Sequence, residues 1–464
     1  MPEPRTFAIR TFGCQMNEHD SERLAGLLVS EGLRPAQGDD EADVVVFNTC
    51  TIRENADLKL YSALGHLKAE KERRPGMQIA VGGCMAQKDR ERILERAGWV
   101  DVVFGTHNLT SAPELLRRAA AEGPVVDVWD APDHDAARDM APALYAVREL
   151  PWAAWMTIQT GCDNTCAYCI VPSVRGEEIS RPFEDLVAEG EMLARSGVTE
   201  ITVLGQNVNS YGRDITRRRP LFAELLRALG GVEGIERIRF TSPHPKDLRP
   251  ETIAAMAETP AVCPQLHLPL QSGSDRVLAA MRRGYSAERY LARLADARAG
   301  IADLHVTTDL IVGFPGETEA DFEKTLAVVA EADYDGAYTF IFSPREGTRA
   351  AEMTEDFVAP EVVTERFLRL KEVLDRSALR HHEAREGLRE EVLVEGPSRR
   401  NEAMLSGRTR QGKLIHFAPD GQALRPGTLV DVDVTHGAPY HLLGDLVGVR
   451  RGPRHKTRLS VTGT

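Results

Sequence analysis

Residues 159–181 read QTGCDNTCAYCIVPSVRGEEISR, and this stretch holds three of the seven cysteines of the chain. The spacing is Cys162-x3-Cys166-x2-Cys169, and the loop follows the strand-like segment MTIQT. A loop with this spacing can wrap a [4Fe–4S] cube and bind three of its irons by thiolate, which leaves the fourth iron without a protein ligand. An open iron can chelate a cofactor. We therefore predict an iron–sulfur site at the start of a domain.

Zinc is the main alternative for these thiols. A structural zinc ion prefers four ligands, usually as two pairs, and no second cysteine pair lies near this loop in the sequence. Inert thiols are the second alternative. Both alternatives remain open, although the spacing favours the cluster.

The segments after the loop predict a β/α barrel. Six strand-like segments alternate with amphipathic stretches from Trp155 onward: MTIQT, EITVLGQN, RIRFTSP, QLHLPLQSG, HVTTDLIVGFPG and GAYTFIFSP. Such alternation is typical of a (β/α)6 partial barrel, in which active groups lie on the loops after the strands. Apolar residues then recur at helical spacing after Pro360, which predicts an amphipathic helix to about His382.

The first part of the chain repeats one pattern three times, an apolar run followed by a cysteine. The three runs are 7–11 before Cys14, 44–47 before Cys50, and 77–81 before Cys84. Runs of this kind predict buried strands of an open parallel α/β sheet. The carboxyl ends of parallel strands gather at one edge, so we expect the three cysteines to converge. A buried core residue is the alternative for each of them alone, and Cys263 is interpreted as a buried free thiol.

These patterns describe an α/β multidomain protein with five parts. They are the amino-terminal sheet (5–120), a connector rich in Asp, Ala and Pro (121–147), the barrel with its closing helix (148–382), a small β domain (383–450) and a basic tail (451–464). Five short strand signals in the β domain, punctuated by Gly and Pro, predict an OB-like β-barrel. We expect the tail to be disordered.

Charge is unevenly distributed along the chain. The formal net charge is −13, which by itself argues against a nucleic-acid partner. Residues 396–464, however, carry eleven Lys and Arg against five Asp and Glu, so a basic carboxy-terminal module follows an acidic body. The amino terminus lacks a basic segment followed by an apolar run, and no run of about 18 uncharged apolar residues occurs. We therefore expect a cytoplasmic protein with no membrane partner.

Four segments together carry a family resemblance. They are TFGCQMNEHDSE (11–22), FNTCTIRENA (47–56), GGCMAQ (82–87) and the loop at 159–181. They resemble the methylthiotransferase family of the radical S-adenosylmethionine superfamily, and Tyr168 matches the aromatic residue usual in that loop. The wording around Cys14 is closest to the branch that acts on isopentenyladenosine in tRNA. The resemblance covers nearly the whole chain, and it implies an amino-terminal methylthiotransferase domain, a radical core and a carboxy-terminal TRAM domain.

The resemblance implies two [4Fe–4S] clusters, one held by Cys162, Cys166 and Cys169 and an auxiliary one held by Cys14, Cys50 and Cys84. It also implies that one molecule of S-adenosylmethionine supplies a methyl group to sulfur, while a second is cleaved to a radical. The implied reaction adds a methylthio group to C2 of N6-isopentenyladenosine next to the anticodon of tRNA. The implied partners are the tRNA anticodon stem-loop, an electron donor such as flavodoxin or ferredoxin, and a sulfur donor.

Two alternative functions remain open. A related methylthiotransferase would act on threonylcarbamoyladenosine or on a ribosomal-protein aspartate, and the residues around Cys14 favour the isopentenyl branch over both. A non-catalytic iron–sulfur RNA-binding regulator belongs to another class. A mere binder needs neither an open-iron loop nor a β/α barrel, and reductive cleavage of S-adenosylmethionine would separate enzyme from regulator.

The barrel loops hold further candidates for contact with S-adenosylmethionine or substrate. They are Tyr168, Gln206, Asn207, His267, Gln271, Ser272, Gly273, Gly313 and Gly316. The alternatives are a capped turn for the first two amides, a satisfied core residue for the histidine and a tight turn for the glycines of GFPGET.

Basic residues of the small β domain are the candidates for RNA contact. They are Arg399, Arg400, Arg408, Arg410 and Lys413, which lie within fifteen residues of one another. Basic side chains on an OB-like face commonly follow a nucleic-acid backbone, although a solvated charged surface is the alternative. Phe417 and Tyr440 are the candidates for base stacking. Arg175 and Arg181, just after the cluster loop, could pair with substrate phosphate or with internal carboxylates.

Overall fold

The computed structural model describes residues 5–51, 54–131 and 146–455, which form three consecutive units. The first unit is a parallel sheet whose strands are β1 (Thr6–Phe12), β2 (Arg34–Pro35), β3 (Val44–Thr49), β4 (Gln78–Gly83), β5 (Val102–Phe104) and β6 (Val125–Asp127). Its helices are α1 (Gln15–Ser30), α2 (Glu54–Arg73), α3 (Cys84–Asp89), α4 (Arg92–Arg96) and α5 (Ala112–Glu122). The spatial order of the strands is β2-β1-β3-β4-β5-β6.

The middle strands of this sheet are apolar on both faces because helices cover both. β3 and β4 are buried along their whole length. Val45 and Phe47 belong to one apolar cluster, whereas their neighbours Val44 and Val46 belong to another. Side chains alternate between the two faces of a strand, so the two clusters are the cores on opposite sides of the sheet. The predicted open parallel sheet is confirmed.

The sixth strand corrects one prediction. β6 pairs with β5 in parallel, so residues 125–127 belong to the sheet and not to a connector. The apolar run there is only two valines long, which is too short to stand out from the Asp- and Pro-rich segment that follows. Residues 132–145 of the predicted connector lie outside the described residues.

The second unit contains the predicted barrel. Its strands are β7 (Ala153–Thr157), β8 (Gln159–Thr160), β9 (Ile179–Ser180), β10 (Glu200–Leu204), β11 (Arg237–Phe240), β12 (Gln265–His267), β13 (His305–Val312) and β14 (Gly336–Ile341). β8 and β9 form a small antiparallel pair, and the other six are parallel. A bridge between Ile238 and Val262 links the half that contains β7, β10 and β11 to the half that contains β12, β13 and β14. All six predicted barrel strands are present.

The helices of the second unit alternate with its strands along the chain. They are α6 (Val171–Arg175), α7 (Phe183–Arg195), α8 (Arg213–Thr216), α9 (Phe222–Gly230), α10 (Pro250–Glu258), α11 (Asp275–Ala280), α12 (Ala287–Gly300), α13 (Glu319–Ala332) and α14 (Pro360–Glu383). α14 matches the helix predicted after Pro360, and its residues Val363, Leu370 and Leu374 are buried in the barrel's outer core. No helix in the described part of the chain is long and apolar enough to cross a bilayer.

The third unit is a closed five-stranded barrel. Its strands are β15 (Arg389–Pro397), β16 (Leu405–Thr409), β17 (Leu414–Ala418), β18 (Leu429–Ala438) and β19 (His441–Arg451), in the order β15-β16-β17-β19-β18. Closure confirms the predicted small barrel, and its identity as a TRAM domain stays a prediction. Phe417 is fully buried in its core, so the prediction that this ring stacks on bases is wrong. Tyr440 is exposed.

The small barrel is fixed to the amino-terminal ends of the large barrel's strands. Arg237 donates from its side chain to the carbonyl of Arg408 at 2.9 Å. Lys413 Nζ lies 3.0 Å from Asp335 Oδ1, and both side chains are buried. The turn at 409–413 therefore docks at the end of the barrel opposite the loop that carries Cys162.

The first residues of the predicted disordered tail have defined positions in the structure. Residue 451, the first of the predicted tail, is the last residue of β19. The rings of His455 and Trp152 lie 6.0 Å apart, and Arg454 approaches Gly234 so closely that a Cβ there would clash. The tail prediction is therefore wrong for these positions, and residues 456–464 lie outside the described residues.

Candidate metal centres

Three cysteines meet at one edge of the first sheet. β1, β3 and β4 are neighbours, and their last residues pair in register, Phe12 with Thr49 and Thr49 with Gly83. Cys14, Cys50 and Cys84 follow these strand ends. Cys14 and Cys50 share a side-chain hydrogen bond, which lowers the pKa of Cys14. The charge of Cys14 in turn raises the pKa of Cys84. The structure thus brings the three together as the strand pattern predicts, and we call them the sheet-edge triad.

A hydrogen-bonded pair of asparagines, Asn17 and Asn48, lies beside the sheet-edge triad. Asn17 accepts a hydrogen bond from the backbone N of Cys14 at 3.3 Å, and it donates to Asn48 Oδ1 at 3.0 Å. Gly83 precedes Cys84 with φ of +91°, and a Cβ at this position would lie 2.4 Å from Asn48 Oδ1. The turn into α3 therefore requires glycine. Both asparagines and the glycine lie in the family-like segments, but the sequence alone does not assign them a role.

Arg175 brings positive charge to the sheet-edge triad. Its side chain is only 6% exposed and pairs with Asp20 at 2.8 Å. Its charge and a hydrogen bond from it act on Cys84, opposing the burial that raises the pKa of this thiol. The pKa of Cys14 is lowered, first by the hydrogen bond with Cys50 and also by Arg175. Internal groups, not an exposed phosphate site, are therefore the partners of Arg175.

Arg181 likewise has an internal partner. It pairs with Glu189 at 2.6 Å, and both side chains are buried. It also donates to the Thr157 carbonyl at 2.9 Å. Of the two partners that the sequence left open for this arginine, the structure favours the carboxylate.

The other three cysteines lie on one loop between β8 and α6, and we call them the loop triad: Cys162, Cys166 and Cys169. The backbone N of Cys162 donates to the Gly176 carbonyl at 3.1 Å, and that of Cys169 donates to the Cys166 carbonyl at 3.1 Å. Gly161 begins the loop with φ of +77°, and a Cβ there would lie 1.7 Å from the Glu177 carbonyl oxygen. Close backbone packing therefore fixes where the loop starts.

A buried arginine also contacts the loop triad. Arg283 Nη1 lies 3.3 Å from Cys166 Sγ, and its Nε donates to the Tyr285 hydroxyl at 3.1 Å. Burial raises the pKa of Cys169 to about 12. Arg283 was not a candidate from the sequence, because it lies 117 residues from Cys166 and the spacing of the loop carries no signal for it.

The loop triad lines an open pocket of about 400 Å³. Arg282 and Arg349 also line this pocket, and both side chains are exposed. Arg282 has φ of +57°, a left-handed conformation that is uncommon outside glycine. Strain of this kind clusters at functional sites, which makes the pocket mouth a candidate for substrate contact.

The two triads suit a four-iron cluster better than a zinc ion. All seven cysteines lie in the described part of the chain, and the seventh, Cys263, is buried away from both triads as a free thiol. Among the described residues, no three Cys, His, Asp or Glu side chains are grouped so that they could hold a metal ion. A four-iron cluster binds each thiolate at a different iron, so three thiolates around an open pocket fit it.

Two candidate amides at the end of β10 hold unpaired oxygens. Asn207 donates to Asp247 at 2.9 Å, yet its Oδ1 is buried without a hydrogen-bond partner. Gln206 Oε1 is also buried without a partner. Buried polar atoms are normally hydrogen-bonded, so these two oxygens fit a bound polar molecule such as S-adenosylmethionine.

His267 and Gln271 lie on the inner side of β12 and its following loop. His267 Nδ1 lies 2.9 Å from Thr307 Oγ1, and its Nε2 lies 3.3 Å from Asp309. Its ring contacts that of Tyr338 edge-on at 5.9 Å. Gln271 has φ of +71°. The histidine therefore has protein partners on both nitrogens, which favours the satisfied-residue alternative.

The remaining small residues pack against helices. Ser272 Oγ lies 3.3 Å from Thr325 Oγ1, and a Cβ at Gly273 would lie 2.6 Å from the Cα of the same threonine. A Cβ at Gly313 would lie 2.5 Å from Val363. This packing against α13 and α14 favours a structural role for Ser272, Gly273 and Gly313, and their contact with the cofactor stays a prediction.

The last two barrel candidates have mixed outcomes. The Gly316 backbone N donates to the Asp356 carbonyl at 2.7 Å, which favours the tight turn. The Tyr168 ring packs edge-on against Phe314 with centroids 6.5 Å apart, and burial raises the pKa of its hydroxyl. Tyr168 thus ties the cluster loop to the turn after β13.

The basic residues of the small barrel do not share one exposed face. Lys413 is buried in its ion pair with Asp335, and Arg410 donates across the same interface to the carbonyls of Glu236 and Val262, both at 3.5 Å. RNA contact is therefore contradicted for Lys413 and is not favoured for Arg410, because domain docking uses their charges. The other three arginines, Arg399, Arg400 and Arg408, are exposed.

Family models match two parts of the chain. Residues 6–105 match the uncharacterized protein family UPF0004. Residues 156–329 match the radical SAM superfamily. The first match covers β1 to β5 of the sheet with its triad, and the second covers the loop triad and most of the large barrel.

Curated relatives match nearly the full length. A tRNA-2-methylthio-N(6)-dimethylallyladenosine synthase of Mycolicibacterium smegmatis is 52% identical, covering 96% of this chain and 88% of the relative. The synthase of Mycolicibacterium vanbaalenii is 54% identical, covering 95% and 88%. The synthase of Nocardia farcinica is 52% identical, covering 96% and 90%. Identity at this level extends over all three units.

Solved structures share the fold at low identity. A radical S-adenosylmethionine methyltransferase, TsrM from Kitasatospora setae, aligns with a TM-score of 0.54 and 13% identity, covering 75% of each chain. A second structure of TsrM, with cobalamin and a [4Fe–4S] cluster bound, aligns with a TM-score of 0.52 and 13% identity, covering 75% of this chain and 77% of that one. At this identity the likeness supports the fold alone.

Proposed function

The chain belongs to the family of tRNA-2-methylthio-N(6)-dimethylallyladenosine synthases, and from this membership we propose that it adds a methylthio group to C2 of N6-isopentenyladenosine next to the anticodon of tRNA. The chain is accordingly a radical S-adenosylmethionine enzyme. The observation that carries the proposal is the pair of cysteine triads, each beside a buried arginine, in a chain about half identical to these synthases.

The two triads would hold two [4Fe–4S] clusters. The loop triad would bind the cluster that, when present, supplies the electron for cleavage of S-adenosylmethionine. The sheet-edge triad would bind the auxiliary cluster, which supplies the place where sulfur receives its methyl group. Support for this assignment comes from the matching donor sets, three thiols each, with Cys263 excluded from both.

Side chains at the end of β10 would orient S-adenosylmethionine. Gln206 Oε1 and Asn207 Oδ1 are buried acceptors without partners, so each can accept a hydrogen bond from the ammonium or a hydroxyl of this cofactor. Asp247 holds the Asn207 amide at 2.9 Å, which fixes the direction of its oxygen. The amide pair therefore serves for positioning and not for proton transfer.

The tRNA would approach from the pocket mouth. Arg282 and Arg349 are exposed there and can meet phosphate. The adenine must leave the anticodon-loop stack to enter the pocket, and a single-stranded loop makes this step inexpensive. Arg399, Arg400 and Arg408 of the small barrel would contact more distant phosphates.

Two further partners follow from the balance of the reaction. Reductive cleavage consumes one electron, for which we propose flavodoxin or ferredoxin as the donor. Insertion of the methylthio group consumes a sulfur atom, so a sulfur donor is also required. We propose the cytoplasm as the location, because that is where tRNA substrate is present.

The alternatives are less well supported. The relatives are named for the dimethylallyladenosine substrate, which favours neither threonylcarbamoyladenosine nor a ribosomal protein. A binding protein without turnover would need neither an open cluster loop nor the unpaired buried acceptors of Gln206 and Asn207.

Nucleoside mass spectrometry of tRNA tests the proposal. A strain without this gene should lose the 2-methylthio derivative and accumulate isopentenyladenosine, and the wild-type gene should reverse both changes. A gene encoding Cys166→Ala should fail to reverse them, whereas the matched control Cys263→Ala should succeed. Unchanged levels of both nucleosides in the deletion strain would refute the proposed substrate.

A further inference from the structure

Arg175 crosses from one unit into the other. It ends α6, the helix that follows the loop triad, yet its guanidinium pairs with Asp20 in α1 of the first sheet at 2.8 Å. The side chain is 6% exposed. Val174, the residue before Arg175 in α6, packs with Cys84 in one buried cluster, which places this end of α6 against the sheet-edge triad. The charge of Arg175 lowers the pKa values of Cys14 and Cys84 in opposition to burial. The sheet-edge triad therefore receives its positive charge from the chain segment that carries the loop triad.

Arg283 is the counterpart at the loop triad. It follows α11, far from the cluster loop in sequence, and its Nη1 lies 3.3 Å from Cys166 Sγ. Its guanidinium lies 5.5 Å from the centre of the Tyr285 ring and is nearly inaccessible to water. Its neighbours are a thiol, tyrosine side chains and the Pro269 carbonyl. No carboxylate of the described residues pairs with it, whereas Arg175 shares its charge with Asp20.

We propose that Arg175 and Arg283 are positioning residues that each supply one buried positive charge to one triad, so that each arginine sets the reduction potential of its own cluster. This inference rests on the proposed assignment of a cluster to each triad. Three thiolates give each cluster site a negative charge, and reduction of the cluster by one electron increases that negative charge. A positive charge shielded from water favours the reduced state, since the interaction is screened weakly there.

The two arginines should differ in strength. Asp20 compensates part of the Arg175 charge, while Arg283 has no such carboxylate partner. Removal of the Arg283 charge should therefore shift its cluster further than removal of the Arg175 charge shifts the other. Lysine keeps the positive charge but lacks the planar guanidinium, which can bond two partners at once. Clusters in the lysine variants should therefore have midpoint potentials close to the wild-type values.

The test measures one cluster at a time in the full chain. Replacing the loop triad by alanines leaves only the sheet-edge cluster, and replacing the sheet-edge triad leaves only the loop cluster. Each background is combined with Arg175→Gln or Arg283→Gln, reconstituted without oxygen, and assayed for iron and for its midpoint potential by a redox titration followed by electron paramagnetic resonance. Circular dichroism checks the fold of each variant.

The expected result is a crossover. Arg175→Gln shifts the sheet-edge potential to more negative values and leaves the loop potential unchanged, and Arg283→Gln does the reverse with a larger shift. Equal shifts in both clusters, or none in either, would overturn the proposal. If a glutamine variant loses its cluster, the lysine variant decides: a cluster with a midpoint potential near the wild-type value supports the charge role, and a lost cluster or a large negative shift contradicts it. A background that binds no iron before any arginine is changed would instead refute the two-cluster assignment.

Discussion

The two cysteine triads reach similar geometry by different routes. The cysteines of the loop triad lie within eight consecutive residues, whereas those of the sheet-edge triad are separated by more than thirty residues each. The loop triad depends on one turn of backbone held by Gly161 and Gly176. The sheet-edge triad depends on three adjacent strands in the correct order and register. One site is therefore local in the sequence, and the other exists only when the sheet has folded.

The side chains that hydrogen-bond around the two triads also differ. Beside the sheet-edge triad lies a buried hydrogen-bond network of two amides, Asn17 and Asn48, and the Ser21 hydroxyl. The loop triad has a half-buried amide, Asn164, which donates to Cys162 Sγ at 3.4 Å. In each triad one cysteine follows a glycine with positive φ, Gly161 before Cys162 and Gly83 before Cys84, and each triad has a buried arginine from elsewhere in the chain beside it. The features that both triads share, the glycine and the buried arginine, are those that a charged cluster requires. The hydrogen-bonding amides differ because each belongs to a different fold.

Removing the loop triad should have the largest effect. Replacing Cys162, Cys166 and Cys169 by alanine removes the thiolates that would hold the cluster needed to cleave S-adenosylmethionine. We expect 5′-deoxyadenosine and the 2-methylthio nucleoside both to fall to the level measured without enzyme, with chromatography and mass spectrometry as the assays. Cys263→Ala is the matched control and should form both products. Normal 5′-deoxyadenosine from the triple variant would show that the loop is not the cleavage site.

Substitution of Gly161 or Gly83 should distort one triad while leaving all of its cysteines in place. Gly161→Ala places a Cβ 1.7 Å from the Glu177 carbonyl oxygen, and Gly83→Ala places one 2.4 Å from Asn48 Oδ1. Positive φ alone costs about 1–3 kcal/mol, and the clashes add to this. Each variant should therefore bind about half of the wild-type iron, because one cluster site of the two is distorted. Iron determination after reconstitution is the measurement.

Gly387→Ala is the control for these glycine variants. Its φ is +80°, but no atom lies within 4 Å of the position of its Cβ. The backbone strain is thus comparable while the clash is missing, and full iron binding is expected. Loss of iron in this variant would mean that the strain and not the local geometry of the triads causes the effect.

Replacing the asparagine beside each triad should change local stability more at the sheet-edge triad than at the loop triad. Asn17→Ala removes a fully buried amide with partners at 3.0 and 3.3 Å, and should destabilise α1 by about 2 kcal/mol. Hydrogen exchange of α1 should accelerate by about 30-fold, since 1.4 kcal/mol corresponds to a factor of ten. Asn164→Ala, in a half-exposed loop, should change exchange around the loop triad much less. Similar effects at both sites would contradict the distinction between a fold-dependent and a local site.

The smallest effect is expected at the exposed arginines of the small barrel. Arg399→Ala and Arg400→Ala should weaken tRNA binding modestly and reduce the slope of log affinity against log salt by about 1 each, as the loss of a phosphate contact does. Fluorescence anisotropy with a labelled anticodon stem-loop measures both quantities. Arg118→Ala, at another exposed arginine on α5, should leave the slope unchanged, and an unchanged slope in the barrel variants would remove these residues from the RNA surface.

Much of the fold could be predicted because each unit repeats its own pattern. Alternating apolar strands and amphipathic helices predicted the six barrel strands, and Gly- and Pro-punctuated strands predicted the closed small barrel. β6 was missed because it is three residues long and its place is determined by pairing with β5. The burial of Lys413 was missed because docking between units leaves no trace in local periodicity.

The candidate sites follow the same rule. Spacing alone identified the loop triad, and strand ends predicted that Cys14, Cys50 and Cys84 converge. The arginines behind the triads could not be assigned, because Arg175 and Asp20 are 155 residues apart and Arg283 and Cys166 are 117 apart. Such contacts depend on how the units pack, which residue spacing does not encode.

The most direct test of two separate sites is a chain that lacks only the sheet-edge triad. Cys14, Cys50 and Cys84 are replaced together by alanine, and the reconstituted protein is assayed for iron, 5′-deoxyadenosine and methylthiolated tRNA in one experiment. We predict about half of the wild-type iron, continued formation of 5′-deoxyadenosine and no methylthiolated product. Loss of 5′-deoxyadenosine in a protein that keeps its loop cluster, or formation of methylthiolated tRNA, would contradict the division of labour between the two triads.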